Sequence, residues 1–178
     1  SIVTSAQTHD DTFEPASYIS LKEGTDEYLE ARSIGEAHIR KGRVAVFVVA
    51  GGQGSRLGYE GPKGCFAIGE ISGKSLFQIH AEKIVKYTRK YGVSIPWLIM
   101  TSEANHHATV EFLRAHNNFG IAENDLFIFS QGMVPSLDMD GKLVLENPTK
   151  LFKNPDGHGG SLTALKSSGV LAKLIERG

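Results

Sequence analysis

The sequence predicts a doubly wound α/β fold with a mostly parallel sheet, preceded by a helical arm and carrying a β-hairpin insertion. Three observations predict it. The apolar run Val44 to Ala50 is rich in β-branched residues and stops abruptly at glycine. Two more apolar runs follow, Trp97 to Met100 and Leu126 to Ser130. The stretches between these runs carry helical period, so the order is β-α-β-α-β. That order calls for parallel strands joined by right-handed crossovers.

Each element has its own signal. Ser1 to Gly24 is polar and without sustained period, and reads as an extended arm. Asp26 to Lys41 places Tyr28, Leu29, Ile34, Ala37 and Ile39 among charges and ends at Gly42, with Arg40 and Lys41 at the negative end of an amphipathic helix. Residues 1–42 thus form an arm and helix, and 43–178 the main domain. Val44 to Ala50 reads as a strand buried on both faces. Cys65 to Ile68 is a candidate short extended segment. Ser75 to Tyr91 repeats Phe77, Ala81, Ile84, Val85 and Thr88 at helical spacing and ends before Gly92 with Lys86, Arg89 and Lys90. Glu103 to Asn117 is the next helix, with Val110, Phe112, Leu113 and His116 on or near its buried side. Between Leu137 and Glu146, Asp140-Gly141 signals a two-residue hairpin turn. Asn147 to Gly160 is a Pro/Gly/Asn loop, and Ser161 to Glu176 a single final helix.

Composition narrows the function classes. A chain of 178 residues can bury one sizeable core. A net charge of −1 gives no electrostatic case for nucleic acid or an anionic membrane. Cys65 is the only cysteine, so no internal disulfide forms and a reducing cytoplasm is the natural compartment. No basic-then-apolar leader opens the chain, and no run reaches the about 20 apolar residues of a membrane span. Ser1 in place of Met, and an end at Gly178 just after a helix, read as an excised or truncated part of a longer enzyme. Oligomeric state has no signal in the sequence.

The chemistry gathers where the first apolar run ends. Gly51-Gly52-Gln53-Gly54 puts three glycines in four positions. Backbone N–H groups can face an anion there without a Cβ in the way. Arg56 can bridge phosphate oxygens bidentately, and Lys63, restrained by Pro62, supplies a compact charge. The stretch is a polyphosphate cradle in physical terms. It is not the dinucleotide fingerprint G-x-G-x-x-G, because the third position falls on Leu57. Nor is Gly69-Glu70-Ile71-Ser72-Gly73-Lys74-Ser75 a P-loop, being one residue short; it reads as a turn and a helix N-cap.

AGGQGSRLG followed by GPKG resembles the signature of the eukaryotic-type UDP-sugar pyrophosphorylase superfamily, which are uridylyltransferases. The likeness is strongest to UDP-N-acetylglucosamine pyrophosphorylases, whose loop reads AGGQGTRLG. It continues through IPWLIMTS, FSQGMVPSLDMDGKLVLEN and PDGHGGSLTAL, over about residues 40 to 178. The resemblance implies a Rossmann-like sheet of the nucleotide-diphospho-sugar transferase type. It implies uridylyl transfer from UTP to a sugar 1-phosphate, N-acetylglucosamine 1-phosphate first, with Mg²⁺ held by substrate phosphates and a carboxylate beyond this chain. Val49, Ala50, Gly51 and Gly52 match positions that touch uracil and ribose. Gly54 and Ser55 continue the nucleotide loop, and Arg56 and Lys63 match its cations. Gln131 matches a base contact, for which a side-chain amide suits the imide edge of uracil. Gly157 offers backbone to base or ribose, and His158 can donate to substrate. N-acetylglucosamine enzymes often have Asn at the position of His158, whereas UDP-glucose enzymes carry Gly-His-Gly there. The metal-binding Asp and most sugar contacts of the family lie downstream, so the chain alone is expected to bind uridine nucleotides weakly and not to turn over.

Other chemistries find less support. His106 and His107 are adjacent and project about 100° apart on a helix, so they do not form a zinc pair. Ser55 has no nearby His-acid pair to activate it, which excludes a Ser hydrolase of the usual kind. Asp138 and Asp140 read as shaping the hairpin. A dinucleotide-dependent oxidoreductase fails on the fingerprint. UDP-glucose or broad UDP-sugar synthesis, and a non-catalytic nucleotide-binding module, stay open.

Overall fold

An unbroken apolar run has no polar side to show to water, and Trp97–Thr101 accordingly forms a central strand, β2, buried at every residue. It pairs in parallel with β1 (Val46–Val49) on one side and β3 (Leu126–Ser130) on the other. The structure, a computed structural model, describes residues 14–18 and 22–178. Most of the arm expected over Ser1 to Gly24 lies outside the described residues. The chain divides into two compact units, Ser1–Gly35 and Glu36–Gly178. Helix α1 (Asp26–Arg40) forms where its period predicts, buries none of its residues, and pairs Arg40 with Glu36 at 2.8 Å.

Successive β2 side chains point to opposite faces. Trp97 and Ile99 pack with Phe77, Ala81 and Ile84 of α2 (Leu76–Tyr91) and with Leu113 of α3 (His106–Ala115). The Phe77 ring meets Trp97 edge-on, with centroids 6.0 Å apart at 72°. Leu98 and Met100 pack with Phe129, Ala164 and Val170, the last two from α4 (Ser161–Ser167) and α5 (Val170–Glu176). Helices therefore cover both faces of a parallel sheet, as the doubly wound reading requires.

Local capping sets the bounds of α2. The Ser75 hydroxyl accepts from the Gln78 amide at 3.1 Å, and Gly92 closes the helix at φ 67°. Gly73-Lys74-Ser75 is thus a turn and N-cap, with Lys74 Nζ 2.6 Å from Glu82.

Several expectations need correction. The first strand is shorter than Val44 to Ala50 and is only half-buried, with Val49 38% exposed. Among the described residues it pairs on one side alone, and an apolar run cannot by itself reveal whether a second neighbour exists. Helix α3 begins at His106 and ends at Ala115, because Asn117, Asn118 and Phe119 adopt positive φ; His116 is exposed. The hairpin turn is a three-residue loop. The Gly141 amide donates to the Asp138 carbonyl, the Asp138 amide to the Lys142 carbonyl, and Gly141 sits at φ 78°. This is a type I turn followed by a left-handed residue. The Asp138 carboxylate also accepts from the Asp140 and Lys142 amides, each at 2.9 Å. Finally, Ser161 to Glu176 is two helices, broken at Gly169 with φ 76°.

The insertion spans residues 133–155 and takes in much of the stretch Asn147 to Gly160, expected to be loop but holding two short strands. β4 (Met133–Pro135) pairs antiparallel with β7 (Lys153–Pro155), and β5 (Leu145–Asn147) with β6 (Lys150–Leu151). Its function in the architecture is return: the chain leaves the end of β3 and comes back to it. Cys65 to Ile68 is extended only after Cys65, with Phe66 at φ −65° and ψ 131°. Lys63–Cys65 forms a 3-10 turn, and Ala67 bridges Ser75. Burial pushes the Cys65 thiol up to about 11.

Candidate nucleotide-binding site

The Ala50 amide still donates to Met100 O at 2.7 Å, and then the chain leaves the sheet. The glycine loop folds back on the GPKG segment. Gly54 N donates to Gly61 O at 2.8 Å, Lys63 N donates to Gly52 O at 3.1 Å, and Gln53 bridges Pro62. The Tyr59 ring fills the space between; a methyl on Gly54 would lie 2.8 Å from its Cδ1, and one on Gly61 3.0 Å from its Cε1. The amides of Gly51, Gly52, Gln53, Ser55 and Arg56 have no acceptor among the described residues. Consecutive unpaired amides at the end of a parallel strand are a natural anion receptor.

The two cations differ. Lys63 leans over the loop, with Nζ 3.9 Å from where a methyl on Gly52 would stand. Its backbone is fixed because Gly64 is buried directly against the Phe77 ring. Arg56 is exposed in a 3-10 turn, Ser55–Leu57. Neither forms an ion pair among the described residues.

Gln131 is 8% exposed, and its amide nitrogen lies 2.5 Å from where a Gly51 methyl would be. A side chain at 51 would push that amide aside, so the ends of β1 and β3 meet above β2. The segment holding Gly157 joins them through backbone: Asp156 N donates to Gly132 O at 3.1 Å, next to Gln131. The Asp156 carboxylate lies against Gly132 and Gly160, and its Oδ1 is buried without a partner. The structure thus brings Gly51, Gly52, Lys63 and Gln131 together, with Gly157 beside them. His158 is exposed; its carbonyl accepts from Ser161 N and Oγ, and its ring forms no hydrogen bond among the described residues.

Sequence reasoning passed over Asn105 and weighed His106 only as a zinc ligand. Asn105 Nδ2 donates to Ala50 O at 2.9 Å and Gly52 O at 3.3 Å, and its Oδ1 accepts from Ser102 N at 2.8 Å. His106 Nδ1 lies 2.8 Å from Thr101 Oγ1 and 3.3 Å from Ser130 Oγ. The Thr101 hydroxyl already donates to Phe129 O, which assigns the imidazole proton to Nδ1. Asn105 falls inside the helix expected over Glu103 to Asn117, so no sequence signal points to the glycine loop.

A cavity of about 110 Å³ below the loop is lined by Val49, Ala50, Gly52, Lys63, Phe77 and His80. Burial, and secondarily the Lys83 charge, hold the His80 imidazole below its ordinary value. The unfolded chain therefore binds this proton more readily than the folded one. Stability is full above the ordinary value near 6.5 and declines as pH falls through the depressed folded value. Urea midpoints measured from pH 7.5 to 5 are expected to fall less in His80→Gln than in the natural sequence; equal slopes would refute this.

The family described as UTP–glucose-1-phosphate uridylyltransferase matches residues 6–178. The chain belongs to this family. Among uridylyltransferase relatives, UDP-N-acetylglucosamine diphosphorylase 2 of Arabidopsis thaliana is 44% identical over 79% of this chain and 30% of its own length. UDP-N-acetylglucosamine pyrophosphorylase of Saccharomyces cerevisiae is 41% identical over 92% of this chain and 35% of its own. The solved UDP-N-acetylglucosamine pyrophosphorylase of Trypanosoma brucei, in complex with an inhibitor, superposes with TM-score 0.73 at 32% identity, over 78% of this chain and 29% of that one. A UDP-glucose pyrophosphorylase mutant of Leishmania major in complex with UDP-glucose gives TM-score 0.61 at 26% identity, over 79% and 29%. The chain spans about a third of the length of the curated relatives it matches. Among the described residues, no helix is long and apolar enough to cross a membrane.

Proposed function

We propose that this chain supplies the uridine-triphosphate half of a uridylyltransferase. The protein it belongs to would transfer UMP from UTP to a sugar 1-phosphate, N-acetylglucosamine 1-phosphate first, releasing pyrophosphate. The observation that carries the reading is the meeting of unpaired glycine-loop amides, unneutralised Lys63 and the Gln131 amide at the carboxyl ends of β1 and β3. Ligands of open parallel sheets sit at such ends.

The chemistry asks little covalent work of the protein. A sugar phosphate oxygen attacks the α-phosphorus in line, a new P–O bond forms, and the bond to pyrophosphate breaks. Positioning and charge neutralisation carry the acceleration. The amides of Gly51, Gly52 and Ser55, with Gly54 keeping the loop free of Cβ and with Arg56, hold the β- and γ-phosphates; Lys63 faces the α-phosphate. Val49 and Ala50 flank the ribose, and Gln131 with the Gly157 backbone addresses uracil. The family generally uses a divalent metal. Among the described residues no group of three or more His, Cys, Asp and Glu could hold one, so Mg²⁺ would arrive on the phosphate oxygens, as it commonly does. We place the reaction in the cytoplasm, with no nucleic-acid or membrane partner.

His158 favours a second reading, UDP-glucose synthesis, since it lies in Gly157-His158-Gly159. The test is a titration of the chain with UTP, UDP-N-acetylglucosamine, UDP-glucose and NADH, followed by amide NMR. UTP is expected to bind weakly and to move the signals of residues 51–56; preference for NADH, or no response to UTP, would overturn the reading. Turnover is expected only when the remaining two thirds of a family member's length are present.

A further inference from the structure

We infer that Asn105 is a positioning residue that aims the amide donors of the glycine loop. The inference rests on the reading of that loop as the triphosphate cradle. Asn105 is 1% exposed, and both polar atoms of its amide are engaged. The Ser102 amide can only donate, so Oδ1 must face it and Nδ2 must face the two carbonyls. The orientation of the side chain is therefore fixed.

The peptide plane converts this bond into a direction. In a trans peptide the C=O of one residue and the N–H of the next point opposite ways. Drawing Ala50 O toward Asn105 turns the Gly51 N–H away from α3. Drawing Gly52 O the same way turns out the Gln53 N–H, and Lys63 N reinforces it from the other chain segment. Both outward amides lack an acceptor among the described residues. Both polar atoms of the Asn105 amide are spent on protein backbone, so it acts on a ligand through the loop. It links the end of β2 to the loop after β1 and presents that loop's donors already oriented.

Asn105→Asp isolates the effect. It keeps shape and the bond from Ser102, but replaces the donor with an oxygen facing two carbonyl oxygens. Leu113→Ala serves as a control that lowers stability through the core under α3. The chain and both variants would be studied by amide NMR and UTP titration well below their melting temperatures. Asn105→Asp is expected to move the Gly51 and Gln53 amide signals, to leave those of β2 and α2 in place, and to weaken UTP binding about tenfold. Leu113→Ala is expected to lower the melting temperature without changing UTP affinity. Unmoved loop signals in Asn105→Asp overturn the inference. So does an unchanged UTP affinity, or an equal loss in both variants. Failure of the natural chain to bind UTP overturns the nucleotide reading instead, and the loop signals still judge the orienting role.

Discussion

Gly64→Ala is expected to destabilise the chain by about 3 kcal/mol or more, at the upper end of what overpacking costs. A methyl there would stand 2.2, 2.3 and 2.6 Å from three carbons of the Phe77 ring. The ring is held on its far side. It is 1% exposed and is braced edge-on by Trp97. The backbone cannot retreat either, since the Lys63–Cys65 turn is tied by the Cys65 and Phe66 amides to Pro62 O and Lys63 O. Urea denaturation with an unchanged m value would report the loss as a lower midpoint. Gly58→Ala is the comparison: Gly58 has φ 66° but open space around it, so only the left-handed backbone penalty of about 1–2 kcal/mol applies. Phe77→Leu in the Gly64→Ala background should recover part of the stability, as neighbours in contact do. Equal midpoints for Gly64→Ala and the natural chain would refute the packing argument.

Lys63→Ala is expected to weaken UTP binding by about 10- to 100-fold, the worth of one hydrogen bond to a charged group. Uridine, which has no phosphates, should bind the variant and the natural chain alike. Lys63→Arg should retain part of the UTP affinity, because charge survives while the compact ammonium does not. Added salt should narrow the difference between the natural chain and Lys63→Ala. Parallel losses for UTP and uridine would mean that Lys63 supports the loop rather than meeting phosphate.

Much of this molecule was legible in the sequence where one local signal has one meaning. Trp97 to Met100 read as a strand and is one, and Ser75 with Gly92 bracketed α2 to the residue. Glycines 51, 52 and 54 announced a loop built for close approach. The unread parts depend on what lies across space. Nothing in Val44 to Ala50 says that β1 has a partner on one side only among the described residues. Asp140-Gly141 marks a turn, but the Asp138 carboxylate decides its length. Gly169 inside a periodic stretch can be tolerated or can break a helix, and here it breaks one. Gly64 stood only as the end of the GPKG motif, yet an aromatic ring thirteen residues on occupies the place of its missing side chain. Asn105 fell inside an expected helix with nothing to mark it, and it reaches fifty-five residues back to Ala50.

The edge-on contact between Phe77 and Trp97 gives the molecule its own optical reporter. Trp97 is the single indole in the chain and is fully shielded from water. Its neighbour Phe77 presses directly on the segment that carries Lys63. Emission from this fluorophore, recorded without any label, would therefore register a disturbance of the loop's foundation as well as loss of the fold.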